Sequence, residues 1–232
     1  MSSWLWIAAI YLGLRYFGFF GLGVLLAVVL LGQWTARLVA LAAQRSRFLA
    51  QRRAELANPA DYGARHQLGT IYLRARRYAK AAHYLEDALE LMRKSPHAEP
   101  DPQLIMDCAR VRFARRDFAG TAILADEVAQ RHAAHRVGDA NLLAGRAHAA
   151  TGASNEALVH FEQAAERAPS SAEAAFRWAR ALAARGEGRR ASAVLRGFQT
   201  ASAGAPAFVR RRDRWWRLAI VLFPALRFLP LR

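Results

Sequence analysis

Cysteine is nearly absent from this chain of 232 residues, in which Cys108 stands alone. A single cysteine forms no internal disulfide and provides no cysteine-based metal framework. Its apolar neighbours in the stretch LIMDCARVRF predict a small, buried side chain. The sequence therefore excludes a fold that depends on disulfides within the chain.

Motifs that carry known catalytic chemistry are missing as well. The sequence has no phosphate-binding loop, no nucleophile elbow and no paired-carboxylate motif. His132 and His135 stand three residues apart in RHAAHRVG, but no acid or cysteine accompanies them, which favours surface histidines over a metal site. We therefore predict a protein that is not an enzyme and has no cofactor, no metal site and no small-molecule substrate.

Acidic residues are absent from the first 54 positions, which carry six arginines. Residues 207–232 hold seven arginines and one aspartate, so the formal net charge of +16 is concentrated at the two ends. A nucleic-acid-binding protein usually carries its basic surface on the folded domain. Because the basic ends adjoin apolar stretches, we predict anionic membrane lipids and no nucleic acid as their partner. An arginine-rich composition without functional meaning is the alternative.

No charged side chain occurs between residues 16 and 34. Nineteen uncharged residues match the helix length that crosses about 30 Å of hydrocarbon, and Tyr16 and Trp34 bracket the run. We predict that residues 1–57 form a transmembrane anchor followed by a basic juxtamembrane helix. A cleaved signal peptide is disfavoured because no basic side chain lies ahead of the apolar stretch that begins at Trp4. The place of Trp4–Leu14 relative to the span stays open.

Arginines are more numerous after this run than before it, where only Arg15 occurs. Those that follow it are Arg37, Arg45, Arg47, Arg52 and Arg53. The positive-inside rule then places the downstream chain in the cytoplasm. The sequence thus predicts a single-pass protein of the bacterial inner membrane, with Trp34 and Arg37 at the membrane interface.

Two segments of the middle region share one pattern, NPADYGARHQLGTIYLRARRYAKAAHYLEDALEL and DANLLAGRAHAATGASNEALVHFEQAAERAP. Each has a glycine in a first helix and an alanine twelve residues later. A large apolar side chain follows after four residues, and another alanine after three more. The matching residues are Gly69, Ala81, Leu85 and Ala88 in the first segment and Gly145, Ala157, Phe161 and Ala164 in the second.

This pattern resembles the tetratricopeptide repeat (TPR), and weaker copies surround Ala109 and Ala179. The small residues are spaced by 40, 36 and 34 positions, and the proline-rich loop KSPHAEPDP explains the longest interval. The resemblance implies an all-α solenoid of about four helical hairpins over residues 58–205, in which small residues let paired helices pack closely. It also implies a concave face that binds peptide segments of a partner protein.

Two columns of residues are predicted to line that face. The column three positions before each small residue contains His66, Met106, Leu142 and Phe176. The column one position after it contains Thr70, Arg110, Arg146 and Arg180. Because arginine holds carboxylates with two parallel hydrogen bonds, we predict a partner segment with acidic residues. The alternative is a solvated column paired with neighbouring acids. Since the family's peptide clamp uses lysines and asparagines, capture of a C-terminal carboxylate is not expected.

The C-terminal segment, residues 206–232, is basic and aromatic. Its apolar run Leu218–Leu226 reaches only ~14 Å as a helix, too short to cross a membrane. We predict an amphipathic helix that lies on the bilayer. Its interface residues would be Arg210, Arg211, Arg212, Arg214, Trp215, Trp216 and Arg217. The alternative is that the segment packs over the last repeat or docks on a partner protein.

Together these features predict a membrane-tethered TPR adaptor, scaffold or assembly factor that binds a partner protein at the cytoplasmic face of the membrane. A structural accessory subunit of an integral membrane complex is one alternative. A periplasm-facing envelope assembly factor or chaperone is another.

Overall fold

The computed structural model describes residues 24, 27–36, 39, 45–52, 54–55, 57–58, 60–95, 99–132, 135 and 138–223. The chain forms two compact units, Met1–Ala57 and Asn58–Arg232. In the N-terminal unit every described residue is helical.

The prediction of a location in the inner membrane is wrong for the part of the chain that the structure describes. Within it, no helix combines the length and the apolar character needed to cross a membrane. Of the predicted span, residues 16–23, 25 and 26 lie outside the described residues, as does Arg37. Trp34 is described and exposed.

The described part of the second unit consists of helices and the turns between them, which confirms the predicted all-α class. Eight of the helices form four consecutive hairpins: α1 (Tyr62–Arg74) with α2 (Tyr78–Lys94), α3 (Pro102–Ala114) with α4 (Phe118–Arg131), α5 (Asp139–Thr151) with α6 (Ser154–Arg167), and α7 (Ala172–Ala184) with α8 (Gly188–Ala201). Two short helices follow, α9 (Ala207–Arg212) and α10 (Arg214–Val221). Within the hairpin region each helix packs on the next one along the chain, as in a solenoid.

Side-chain caps start three of the hairpins. Asp61 accepts a hydrogen bond from the backbone N–H of Gly63 at 2.8 Å, and Asp101 accepts one from Gln103 at 2.8 Å. Ser171 accepts a longer one, 3.4 Å, from Ala174. Such a cap satisfies a backbone donor that would otherwise lack a partner in the first turn of the helix. The sequence thereby marks where the first helix of each of these repeats begins.

Every hairpin turns at a residue with a left-handed backbone. Their φ angles are 57° at Arg76, 66° at Arg116, 86° at Gly152 and 81° at Gly186. Each lies seven positions after the small residue of its repeat. This common position confirms that the four sequence copies are four structural hairpins. The two arginines adopt a conformation that glycine reaches at lower cost.

The small residues of the pattern lie where paired helices meet. A Cβ atom added to Gly69 would lie 2.5 Å from the Leu85 side chain, and one added to Gly145 would lie 2.7 Å from the Phe161 ring. Ala109 is completely buried. The helices of each pair therefore approach too closely for a larger side chain at these positions.

Two unusual residues of the second hairpin are also explained by its packing. Thr121 stands where the pattern has alanine, and its buried hydroxyl donates to the carbonyl oxygen of Asp117 at 2.6 Å. Cys108 is completely buried, as predicted, and burial raises the pKa of its thiol to about 12. Its Sγ lies 3.2 Å from the carbonyl oxygen of Leu85. A buried thiol with so high a pKa is unreactive at neutral pH.

The C-terminal segment packs on the last hairpin up to Phe223. Ile220 and Phe223 are buried in the cluster formed by α7 and α8, and the Phe223 ring meets that of Phe176 edge-on at 6.1 Å. Asp213, which is buried, separates α9 from α10, so the segment is not one continuous amphipathic helix.

Two of the residues predicted to lie at a membrane interface belong to this packed surface. The Trp216 ring lies 5.7 Å from that of Phe176, and the Arg217 guanidinium lies 5.2 Å from the centre of the Phe198 ring. The membrane-interface role of Trp216 and Arg217 stays a prediction, and their half-buried side chains pack on the last repeat. The others in the segment are exposed: Arg210, Arg211, Arg212, Arg214 and Trp215. Residues beyond Phe223 lie outside the described residues.

Candidate peptide-binding cleft

The predicted apolar column does not line an open surface for most of its length. Met106 and Phe176 are buried, with 1% and 5% of their surface exposed. Leu142 is half-buried and packs against the cluster around Phe161. These side chains stabilise contacts between helices, which explains why apolar residues recur at this position of the repeat.

The fourth member of that column, His66, belongs to a polar network in the first two hairpins. Its Nε2 lies 3.2 Å from Oδ2 of Asp107, a residue with only 3% of its surface exposed. The hydroxyl of Thr70 lies 3.4 Å from the same oxygen and 3.0 Å from the carbonyl oxygen of His66, to which it donates. Thr70 and His66 therefore lie beside the buried carboxylate of Asp107, which the sequence pattern did not identify.

Arg110 is the third partner of Asp107. Its guanidinium lies 3.2 Å from Oδ1 of Asp107 and 3.6 Å from Oδ2 of Asp139. Burial by itself would raise the pKa of Asp107, but contacts with His66 and Arg110 help to outweigh it and lower that pKa. Asp107 is thus charged at neutral pH. The positive charge of Arg110 is thus paired with two carboxylates, those of Asp107 and Asp139.

Arg146 and Arg180 do come together, in a cleft of about 410 Å³. Two further arginines, Arg116 and Arg177, line the same cleft. Its remaining lining side chains are aromatic or small: Phe113, Ala114, Phe118, Ala149, Ala150 and Phe161. Among the described residues, no acidic side chain lines this space, which we call the arginine cleft.

Aromatic rings and one carboxylate hold the arginines in place. The Arg146 guanidinium stacks over the Phe113 ring at 4.5 Å, and Phe113 meets Phe118 edge-on at 5.3 Å. From outside the cleft lining, Oε1 of Glu173 lies 2.8 Å from Nε of Arg177 and 3.8 Å from Nη1 of Arg146. Stacking and ion pairing reduce the conformational freedom that these long side chains would lose on binding a ligand.

Positive charge dominates the electrostatics of the cleft lining. Burial lowers the pKa of Arg146 and of Arg180, and the nearby charge of Arg177 lowers both further. Glu173 offsets part of this effect on the pKa of Arg146. Arginine stays protonated in proteins, so these shifts reflect desolvated and mutually repelling positive charges. A bound carboxylate would relieve both costs.

Arg177 could have been found from the sequence, whereas the aromatic residues could not. Arg177 precedes Arg180 by three positions in α7, and residues at this spacing are neighbours on a helix surface. Phe113 and Phe118 flank the turn of the second hairpin. Their approach to Arg146 depends on how the second hairpin stacks on the third, and the sequence pattern does not contain that information.

Solved structures of TPR proteins share this fold. YrrB, described as a TPR protein with an unusual peptide-binding site, matches with a TM-score of 0.56 and 16% identity, covering 79% of this chain and 89% of YrrB. MamA from Desulfovibrio magneticus RS-1 matches with a TM-score of 0.60 and 12% identity, covering 76% of this chain and 96% of that structure. The thermophilic TPR protein TTC0263 of Thermus thermophilus matches with a TM-score of 0.51 and 17% identity, covering 80% of this chain and 96% of that structure.

The fold of this chain is therefore that of a TPR solenoid. No protein-family model and no curated protein matches the sequence, so the likeness rests on structure. At such low identity it shows the fold alone. Membrane tethering, binding of anionic lipids and membership of a membrane complex gain no support from these neighbours.

Proposed function

We propose that this protein is an adaptor or scaffold that binds an acidic, partly apolar peptide segment of a partner protein in the arginine cleft. The observation that carries the proposal is the convergence of four arginines and two half-buried aromatic rings, Phe113 and Phe118, in one cleft without an acidic residue among its described lining. A TPR fold supports the proposal because such solenoids present extended surfaces to their partners.

The chemistry of the cleft suits alternating acidic and apolar side chains. Arg146 and Arg180 line the cleft, where they would bind carboxylates through the paired, charge-assisted hydrogen bonds that arginine forms. The paired rings of Phe113 and Phe118 offer an apolar surface beside them. A ligand with both kinds of side chain would use the whole cleft, whereas a simple anion would use only the arginines.

The test is the affinity of a labelled decapeptide of alternating glutamate and leucine, measured by fluorescence anisotropy. We expect Arg146→Gln and Arg180→Gln each to weaken binding by roughly ten- to a hundredfold, since a charge-assisted hydrogen bond contributes about 1.5–3 kcal/mol. Binding to the wild-type protein should weaken as salt is added, because the attraction is electrostatic. A glutamine–leucine peptide of equal length should bind much more weakly.

Two control variants separate the cleft charges from general effects of net charge. Arg196→Gln removes an exposed arginine of α8 outside the cleft and should leave the affinity unchanged within about twofold. Glu173→Gln removes the carboxylate that competes for Arg146 and Arg177, so it should tighten binding of the acidic peptide. Equal losses in the Arg180→Gln and Arg196→Gln proteins would contradict the proposal.

A further inference from the structure

One carboxylate and two imidazoles from three consecutive helices meet at a second place in the solenoid. Asp126 of α4 lies with its Oδ2 3.1 Å from Nε2 of His148 in α5, and with its Oδ1 3.1 Å from Nε2 of His160 in α6. One donor atom from each of the three residues lies within 4.8 Å of the others. All three side chains are largely buried, with 16–25% of their surface exposed. We call this group the Asp–His–His cluster.

The separations match those between ligands of one metal ion. Two donor atoms that each lie about 2.1 Å from an ion are about 3.0 Å apart at a right angle and about 3.4 Å apart at the tetrahedral angle. Both nitrogen–oxygen distances of the cluster fall within that interval. Two imidazoles and one carboxylate also form a donor set that suits divalent transition metals and not Mg²⁺ or Ca²⁺.

A buried amide orients one of the imidazoles for such a role. Nδ1 of His160 lies 3.3 Å from Oδ1 of Asn141, which is 1% exposed. If Nδ1 donates its proton to this oxygen, Nε2 of His160, which lies 3.1 Å from Oδ1 of Asp126, is left to bind an ion. Metal-binding histidines commonly donate their other N–H group to such an oxygen.

The carboxylate of Asp126 is incompletely satisfied by the protein. Its Oδ1 is buried and receives no hydrogen bond of acceptable geometry, although Nε2 of His160 is close to it. Leaving a buried oxygen without a donor is costly. A positive ion between Nε2 of His160 and this oxygen would give the oxygen a partner.

We propose that Asp126, His148 and His160 form a binding site for one divalent transition-metal ion of the Zn²⁺ type. The two imidazole rings are stacked nearly parallel, with 5.2 Å between their centres. Their in-plane lone pairs cannot both point to one ion in that arrangement, so binding turns at least one ring. Asp126 also lines an open depression, which gives an ion access from solvent; its other lining residues are Arg93, Ile123, Glu127, Gln130 and Arg131.

The site would join the second and third hairpins. Asp126 belongs to the second hairpin, whereas His148 and His160 belong to the third, so one ion would link neighbouring repeats. An ion that binds only the folded chain stabilises it by mass action. This inference does not depend on the proposed function, because none of the three ligands lines the arginine cleft.

The experiment uses the purified full chain, stripped of metal with a chelator, and Zn²⁺ as the probe. We expect calorimetric titration to show one Zn²⁺ bound per chain, and a roughly hundredfold excess over Kd to raise Tm by about 5–10 °C. Co²⁺ in place of Zn²⁺ should give a visible absorption band from nitrogen and oxygen ligands. Each of His148→Gln and His160→Gln should abolish the bound equivalent and the Tm shift.

Control variants test whether the ion binds to the Asp–His–His cluster and not to other histidines of the chain. His83→Gln alters a largely exposed histidine that also faces a carboxylate, and it should bind Zn²⁺ like the wild type. The double variant H132Q/H135Q removes the two histidines that are spaced by three residues, and it should also retain the site. Absence of stoichiometric Zn²⁺ binding by the wild-type chain would overturn the proposal, as would loss of binding in H132Q/H135Q with retention in His148→Gln.

Discussion

Replacing Gly145 with leucine lowers the free energy of unfolding by about 3 kcal/mol or more. A Cβ atom at this position would lie 2.7 Å from two carbons of the Phe161 ring and 3.3 Å from the carbonyl oxygen of Ala157. A leucine therefore forces α5 and α6 apart at a place where both are buried. Urea denaturation followed by circular dichroism measures the change.

Gly197 provides a matched control for the same substitution. It also lies inside a helix, but a Cβ atom added there would meet nothing within 4 Å. Gly197→Leu should be neutral or raise stability by roughly 0.5–1 kcal/mol, since glycine is a poor helix former. Adding Phe161→Ala to Gly145→Leu should cost less than the sum of the two single changes, because the smaller side chain leaves room for the leucine. Equal effects of leucine at positions 145 and 197 would refute the close approach of α5 and α6.

Replacing both Ile220 and Phe223 with alanine unfolds the last hairpin at temperatures where the wild-type hairpin is folded. Each side chain belongs to a residue that is only 6% exposed, and such truncations cost about 2–5 kcal/mol apiece. In a solenoid the terminal repeat has a neighbouring repeat on one side only. Loss of the side chains that pack on it therefore destabilises this repeat before the others. Hydrogen exchange of the α7 and α8 amides, read by mass spectrometry, would show the loss of protection.

Val221 and Leu222 are the controls for this prediction, since they lie beside the buried pair but are 71% and 48% exposed. Their double alanine variant should change stability by no more than about 0.5 kcal/mol. The packed C-terminal segment also contacts the arginine cleft, because the Arg177 guanidinium lies 5.1 Å from the centre of the Trp216 ring. We therefore expect I220A/F223A to weaken peptide binding as well. Equal stability of the two double variants would contradict the capping role of α10.

The repeat architecture could be predicted from the sequence because it follows from the spacing of residues within each hairpin. The steps from Gly69 to Ala81 and Leu85 recur in the third repeat, and the structure places all of these residues at buried helix contacts. The predicted loop KSPHAEPDP is confirmed at Ser95 and residues 99–101, whereas Lys94 still belongs to α2 and Pro102 already belongs to α3. Such signals act within one hairpin and need no knowledge of its neighbours.

The site could be predicted only in part, because it depends on contacts between repeats, which the spacing within one hairpin does not determine. The column of Arg110, Arg146 and Arg180 treats the repeats as equivalent, but Asp107 in the second repeat pairs with Arg110. The third repeat has Leu143 at that position and the fourth Arg177, so the charge balance changes from repeat to repeat. The three members of the Asp–His–His cluster are far apart in the sequence, and only the stacking of three helices brings them together.

The apolar C-terminal segment shows a limit of reasoning from composition. Trp216 and Ile220 form an apolar stripe in a segment that we predicted to lie on the bilayer, with packing over the last repeat as the alternative. The same stripe fits the apolar surface of α7 and α8. An amphipathic pattern shows that one face is covered, but it does not identify what covers it.

The central claim, that an acidic peptide occupies the arginine cleft, is tested most directly by mapping the bound peptide. The glutamate–leucine decapeptide, with a benzophenone side chain in place of one leucine, is photo-crosslinked to the full chain and located by mass spectrometry. The account predicts crosslinks in the Phe113–Phe118 turn and near Ala149 and Ala150, and competition by unlabelled peptide. Crosslinks confined to a different cleft, around Trp178 and Val194, would contradict it.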